Sequence, residues 1–137
     1  MINSNKVMSR NMQVHHILMR NEAYIFFGCP KKWGVEEAIK DAQGNVFIRP
    51  DVIFAVEVNG QDRFYFLEID YMQKMINNKK KIEKYADLQE KGLLQRSLGY
   101  FPTVIFITVS DMRKQKLAKE CQRHGVPHQI YTLDEIK

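Results

Sequence analysis

The sequence predicts a mixed α/β fold in which an antiparallel hairpin passes through a helical crossover into a buried strand. Three observations predict it. Two β-type apolar runs, 52–58 and 64–67, flank Asn59-Gly60-Gln61-Asp62, and Asn-Gly between such runs signals a hairpin because both residues tolerate φ > 0. Residues 72–91 contain no Gly or Pro, and Met75, Ile82 and Ala86 share one helical stripe. Thr103-Val104-Ile105-Phe106-Ile107-Thr108-Val109 is nearly all β-branched or aromatic, the pattern of a strand buried on both faces.

Taken in order, the elements fit this class. Residues 1–9 are largely polar and are expected to fray. From Asn11 to Phe27 the chain lacks Gly and Pro; Val14, Leu18, Asn21 and Ile25 recur at helical spacing, and Ile17 and Tyr24 widen that apolar face. Gly28 and Pro30 end the helix. Lys31-Lys32-Trp33-Gly34 reads as a loop, 35–40 as a short strand or a helical turn, and Asp41-Ala42-Gln43-Gly44-Asn45 as a turn. After the hairpin and its following helix, Gly92 and Gly99-Tyr100-Phe101-Pro102 interrupt the pattern before the buried strand. Ser110 is placed to cap a helix through about Arg123, with Gly125 at its end. His128–Leu133 reads as a last strand, at an edge because Pro127 precedes it. The predicted order is an αβββαβ core followed by a further helix and an edge strand.

Composition bounds the function classes. At 137 residues the chain has room for one domain, 1–137, around a single core. Its 45% apolar and 27% charged residues match a soluble globular protein. The 21 basic against 16 acidic residues, a net charge of +5, tilt the expectation toward a polyanionic partner. No run approaches the roughly 18 apolar residues of a membrane span, and no apolar leader is visible, so a cytoplasmic protein is expected. Cys29 and Cys121 lack metal-ligand spacing. No Ser-His-Asp set or Gly-rich phosphate loop appears, which leaves serine-hydrolase and nucleotide-binding readings without support.

The acids are the informative residues. Asp51 opens the first hairpin strand, while Glu68 and Asp70 close the second, so folding the hairpin brings three carboxylates toward one end of the sheet. Like charges repel there unless a cation joins them, and hard divalent cations are bound by such oxygen clusters. The bland alternatives are a strand-entry turn for Asp51 and the polar face of a half-buried strand for Glu68 and Asp70. Lys79-Lys80-Lys81 reads either as a solvated helix face or as a phosphate contact. His15 and His16 are adjacent, about 100° apart on a helix, and form no joint ligand pair. Trp33, Tyr65 and Tyr71 fit packing better than base stacking.

Pro50-Asp51 followed by Glu68-Ile69-Asp70 at the end of the next strand resembles the PD-(D/E)XK nuclease superfamily. More narrowly, His16-Ile17-Leu18-Met19-Arg20-Asn21, Arg49-Pro50-Asp51, Phe66-Leu67-Glu68-Ile69-Asp70 and Lys81-Ile82-Glu83-Lys84-Tyr85 resemble the replication-relaxation family of plasmid and phage proteins. The resemblance covers roughly residues 14–110. It implies a restriction-endonuclease-like core and Mg²⁺ or Mn²⁺ held by Asp51, Glu68 and the Ile69 carbonyl. It also implies DNA as partner, with a replication protein or a separate winged-helix module as a further one.

The pattern's lysine, two residues after the glutamate, is here Asp70. Either Asp70 serves as a third metal ligand or as the base, or a lysine of the next helix reaches back. Lys74, Asn78, Lys81 and Tyr85 lie within about 60° of one another on a helix, and Lys81 is the preferred substitute. The expected catalytic set is thus Asp51, Glu68, Asp70 and Lys81. Lys74, Lys80, Lys81 and Lys84 are the expected DNA contacts, with His16, Glu22 and Tyr85 accessory. Two functions follow: a metal-dependent DNA endonuclease or nickase of a mobile-element replication protein, or a catalytically silent nuclease-fold domain that binds DNA or a replication partner. A small protein-interaction module with a merely soluble basic helix is the third.

Overall fold

A mixed five-stranded sheet organises the chain, in the computed structural model that describes residues 10–137. The expectation of a frayed segment at 1–9 lies outside the described residues. The strands are β1 (Lys32–Val35), β4 (Val52–Val58), β5 (Gln61–Ile69), β6 (Thr103–Thr108) and β7 (His128–Thr132), side by side in that order. β1, β4 and β5 pair antiparallel, while β5–β6 and β6–β7 are parallel. A two-stranded ribbon, β2 (Ile39–Lys40) and β3 (Val46–Ile48), lies outside this sheet. The helices are α1 (Arg10–Phe26), α2 (Met75–Lys91), α3 (Leu93–Leu98), α4 (Asp111–His124) and α5 (Leu133–Ile136). Among the described residues no helix is long and apolar enough to cross a membrane.

Strand alternation divides the core into two layers. Phe66, Val104 and Phe106 face Ile82, Tyr85 and Leu88 of α2 and Leu117 and Cys121 of α4. Val52, Phe54, Leu67, Ile69, Ile105 and Ile107 face Met19 and Ala23 of α1 and Ile136 of α5. β6 is buried on both faces, as its composition predicts, because it lies between β5 and β7 with helices on either side. The hairpin turn is tighter than predicted. Asn59 and Gly60 alone form it, at φ 53° and 78°, and β5 begins at Gln61. Both residues sit in the left-handed region, the requirement of the two-residue turn that matches strand twist. Ser110 caps α4 by accepting from the Arg113 amide at 3.2 Å, and Gly125 closes it at φ 68°.

Two local expectations are overturned, and a short helix is added. Lys32–Val35 is an edge strand rather than part of a loop, because β4 offers it an antiparallel partner and Trp33 packs tilted on Phe54. The chain between Gly92 and Gly99 folds as α3. Most instructive, α1 is turned about its axis. Val14, Ile17, Leu18 and Ile25 are 45–64% exposed, while Met19 and Ala23 are buried. The helix presents its sheet side where His15 stacks on Tyr71 and His16 reaches Asp51. Periodicity marks an apolar stripe, but polar anchors here decide which face turns inward.

Candidate active site

The end of the hairpin brings Asp51 and Glu68 together. β4 and β5 pair Val52 with Leu67, and the same register puts Asp51 across from Glu68. Pro50 precedes Asp51 and has no amide proton, so the ladder stops there. The Asp51 side chain continues it: Oδ2 accepts from the Ile69 amide at 2.7 Å. The Asp51 carbonyl accepts from the Glu36 amide at 3.0 Å. Asp51 is thereby held through both its side chain and its main chain.

Glu68 projects from β5 toward α2 and is only 3% exposed. Two side chains one helical turn apart on α2 receive it. The Tyr85 hydroxyl donates to Oε2, and the Lys81 ammonium lies 2.6 Å from Oε1. The same ammonium is 3.9 Å from Asp51 Oδ1, and His16 Nε2 approaches Asp51 Oδ2 at 3.4 Å. Asp51, Glu68, Lys81, Tyr85 and His16 thus form one cluster, drawn from α1, β4, β5 and α2.

The electrostatics separate the two acids. Burial pushes the Glu68 carboxyl up to about 8, and the neighbouring Asp51 charge adds to it, against the pull of Lys81 and Tyr85. Burial also opposes charge on Asp51, yet His16, Lys81 and the Ile69 amide together hold its carboxyl below the ordinary value. Desolvation disfavours the Lys81 ammonium, but Glu68 and Asp51 more than offset this and raise its pKa. Burial, followed by the charge of Glu68, raises the Tyr85 phenol well above its usual value.

Asp70 does not join this cluster. It is fully buried and both oxygens are engaged: Arg113 Nε and Nη2 donate at 2.7 and 2.8 Å, Thr108 Oγ1 at 2.7 Å and Asn78 Nδ2 at 3.0 Å. Glu68 and Asp70 share a face of β5, but beyond the strand end Asp70 turns toward β6 and α4. A fork-shaped guanidinium meets it there. Sequence reasoning missed Arg113, which lies 43 residues away. Glu22 lies six residues beyond His16, about 9 Å along α1. Lys74 is the residue capping the start of α2 and is exposed.

Beside the acids lies a pocket of about 330 Å³ lined by Ile48, Arg49, Asn77, Lys80, Lys81 and Lys84. Lys80 and Lys84 are four apart on α2 and share a face. Arg49, the basic residue adjoining the first acid in Arg49-Pro50-Asp51, was assigned no role from sequence. Its place next to that acid is the signal that could have found it. Lys74 does not line the pocket. Lys81 is the residue common to pocket and acid pair.

Among the described residues no three His, Cys, Asp or Glu side chains form a metal-holding group. The Ile69 carbonyl, a third oxygen, already accepts from Gln73 Nε2 at 2.7 Å. Two carboxylates beside a basic pocket still suit Mg²⁺ or Mn²⁺. Such ions are commonly held by one or two carboxylates, substrate phosphates and water rather than by an all-protein cage. In that mode Asp51 and Glu68 would be the protein ligands.

The chain matches no curated protein and no solved structure. Residues 1–104 match the model of the replication-relaxation family, a span that holds α1, the hairpin, the acid pair, Lys81 and Tyr85. The chain belongs to the replication-relaxation family.

Proposed function

We propose that this chain is a metal-dependent DNA phosphodiesterase, an endonuclease or nickase serving the replication of a mobile element. The observation that supports it above others is the Lys81 ammonium between Glu68 and Asp51 at the rim of a basic pocket. Carboxylates, a lysine and a cationic recess are the parts that phosphodiester cleavage needs. The replication-relaxation family supplies the replication setting, and the likeness of Pro50-Asp51 and Glu68-Ile69-Asp70 to PD-(D/E)XK nucleases supplies the reaction class.

Each side chain has a part in this reading. Arg49, Lys80 and Lys84 bind backbone phosphates. Asp51 and Glu68 hold Mg²⁺ or Mn²⁺, which when bound acidifies water and neutralises charge on the phosphate. Lys81 orients the attacking water or meets the charge developing on the phosphate. Tyr85 fixes the rotamer of Glu68, and His16 that of Asp51. Asp70 is left out, since its oxygens are spent on Arg113, Thr108 and Asn78.

The test incubates the purified chain with supercoiled, linear and single-stranded DNA, with Mg²⁺, Mn²⁺ or chelator. Nicking that needs the metal and is lost in Asp51→Asn and Glu68→Gln, both shown folded by circular dichroism, is the expected result. A second reading, a silent nuclease-fold domain that binds DNA, draws on Lys81 standing where a cation would sit and on the engagement of Asp70. Binding without cleavage, weakened in Lys80→Ala and Lys84→Ala, establishes that reading instead. Absence of any DNA affinity at low salt refutes both.

A further inference from the structure

Lys81 has two sets of neighbours. Its ammonium pairs with Glu68 at 2.6 Å and lies 3.9 Å from Asp51, while its side chain also lines the pocket formed with Arg49, Lys80 and Lys84. It is 27% exposed, and its four-carbon stem is flexible. The acids do not depend on it alone for support. Glu68 keeps Tyr85, and Asp51 keeps the Ile69 amide and His16. The acid pair can therefore hold its geometry while the ammonium moves.

We infer that Lys81 is an exchangeable counter-ion that couples the two halves of the site. With the pocket empty, the ammonium rests on the acid pair and competes with any divalent cation for it. A phosphate group held by Arg49, Lys80 and Lys84 presents a second anion within the lysine's reach. Drawn toward it, the ammonium leaves Asp51 and Glu68 uncompensated and open to a cation. Anion and cation then bind cooperatively, and linkage makes the effect reciprocal: each raises the affinity of the other by the same factor. The consequence is regulatory. The acid pair is charged with metal chiefly when a nucleic-acid phosphate already occupies the pocket, which restrains idle metal uptake. This inference rests on the reading that the acids receive a divalent cation and the pocket a phosphate.

Calorimetry at pH 8 tests it on the full chain, with Mn²⁺ as the cation and sulfate as the pocket anion, chloride replacing sulfate at equal ionic strength. Mn²⁺ is expected to bind about fivefold or more tightly in sulfate than in chloride, the lower range of ordinary coupling. Lys81→Met is expected to bind Mn²⁺ more tightly than the parent in chloride and to show little further gain in sulfate. A structural role for Lys81 predicts the opposite sign, a loss of Mn²⁺ affinity in the variant. Lys80→Ala, which weakens the pocket, should reduce the sulfate effect. Equal Mn²⁺ affinity in the two salts, or an undiminished sulfate effect in Lys81→Met, overturns the coupling while metal binding itself stands. Absence of Mn²⁺ binding in both salts overturns the metal reading together with the coupling.

Discussion

Arg113→Ala is the sharpest probe of how the site is held. Asp70 is 0% exposed and Arg113 17% exposed at the side chain, and they meet through two charged hydrogen bonds of 2.7 and 2.8 Å. Arg113 also donates to the Gln73 carbonyl at 2.5 Å, tying the turn after β5 to α4. Truncation leaves a buried carboxylate with only Thr108 and Asn78, two neutral donors. Breaking one side of such a buried pair costs about 3–5 kcal/mol. At a urea slope of about 2 kcal/mol per molar, the unfolding midpoint falls by roughly 2 M. Arg113→Lys keeps the charge but not the fork, and should recover part of the loss. Asp70→Ala combined with Arg113→Ala should cost less than the sum of the single changes, since neither partner is then stranded. Urea unfolding followed by circular dichroism measures the parent and the four variants. A cost under about 1 kcal/mol for Arg113→Ala would refute the assignment of Asp70 to the framework and return it to the candidate ligands.

Further expectations concern the acid cluster and its pocket. Glu68 titrates near 8 when folded against 4.5 ordinarily, so the folded chain retains a proton that the unfolded chain loses between these values. Its contribution to stability is therefore full below about pH 4.5 and is lost as the pH rises toward 8. Urea midpoints from pH 5 to 8.5 should fall less steeply in Glu68→Gln than in the parent, and parallel profiles would refute the shift. Tyr85→Phe removes the hydroxyl that donates to buried Glu68 and should cost about 1.5–3 kcal/mol, read from thermal and urea unfolding. Lys80→Ala and Lys84→Ala should each flatten the salt dependence of DNA binding, lowering the slope of log K against log salt by about 0.7–0.9. Unchanged slopes would remove the pocket from the DNA interface.

The legible parts of the fold are those where one local signal decides the structure. Asn59-Gly60 supplies two residues that accept positive φ, and no tertiary contact is needed to see the turn. Val104–Ile107 is apolar throughout, so the burial of β6 on both faces follows from composition. Ser110 and Gly125 sit where a helix start and end require an acceptor and a left-handed residue. β1 carries no comparable signal. Lys32-Trp33-Gly34-Val35 becomes a strand because β4 has an open edge beside it. α1 shows the limit of periodicity: Val14, Leu18 and Ile25 form the cleaner stripe, yet Met19 and Ala23 face the sheet. The small Ala23 side chain and the His16 approach to Asp51 outweigh the stripe.

The candidate site divides along the same line. Asp51 and Glu68 are legible because hairpin register is local: once Asn59-Gly60 fixes the turn, position 51 must oppose position 68. Lys81 is legible because α2 begins soon after β5 and its rotation follows from 100° per residue. Asp70 obeys the same alternation as Glu68 and shares its side of the strand, so sequence alone groups the two. What separates them is Arg113, on a helix that returns only after α2, α3 and β6 have been laid down. A residue that distant has no periodic relation to β5. The position where the PD-(D/E)XK pattern places a lysine is therefore held here by an acid facing a cation from elsewhere in the fold. Lys81 brings an ammonium to the acid pair from α2. Reversing the first exchange tests whether positive charge is still tolerated at position 70. Asp70→Lys alone buries two cations against each other, whereas Asp70→Lys with Arg113→Asp restores a buried pair of opposite sign. If the double variant folds and the single one does not, charge pairing between β5 and α4, rather than metal ligation, explains the acid at position 70.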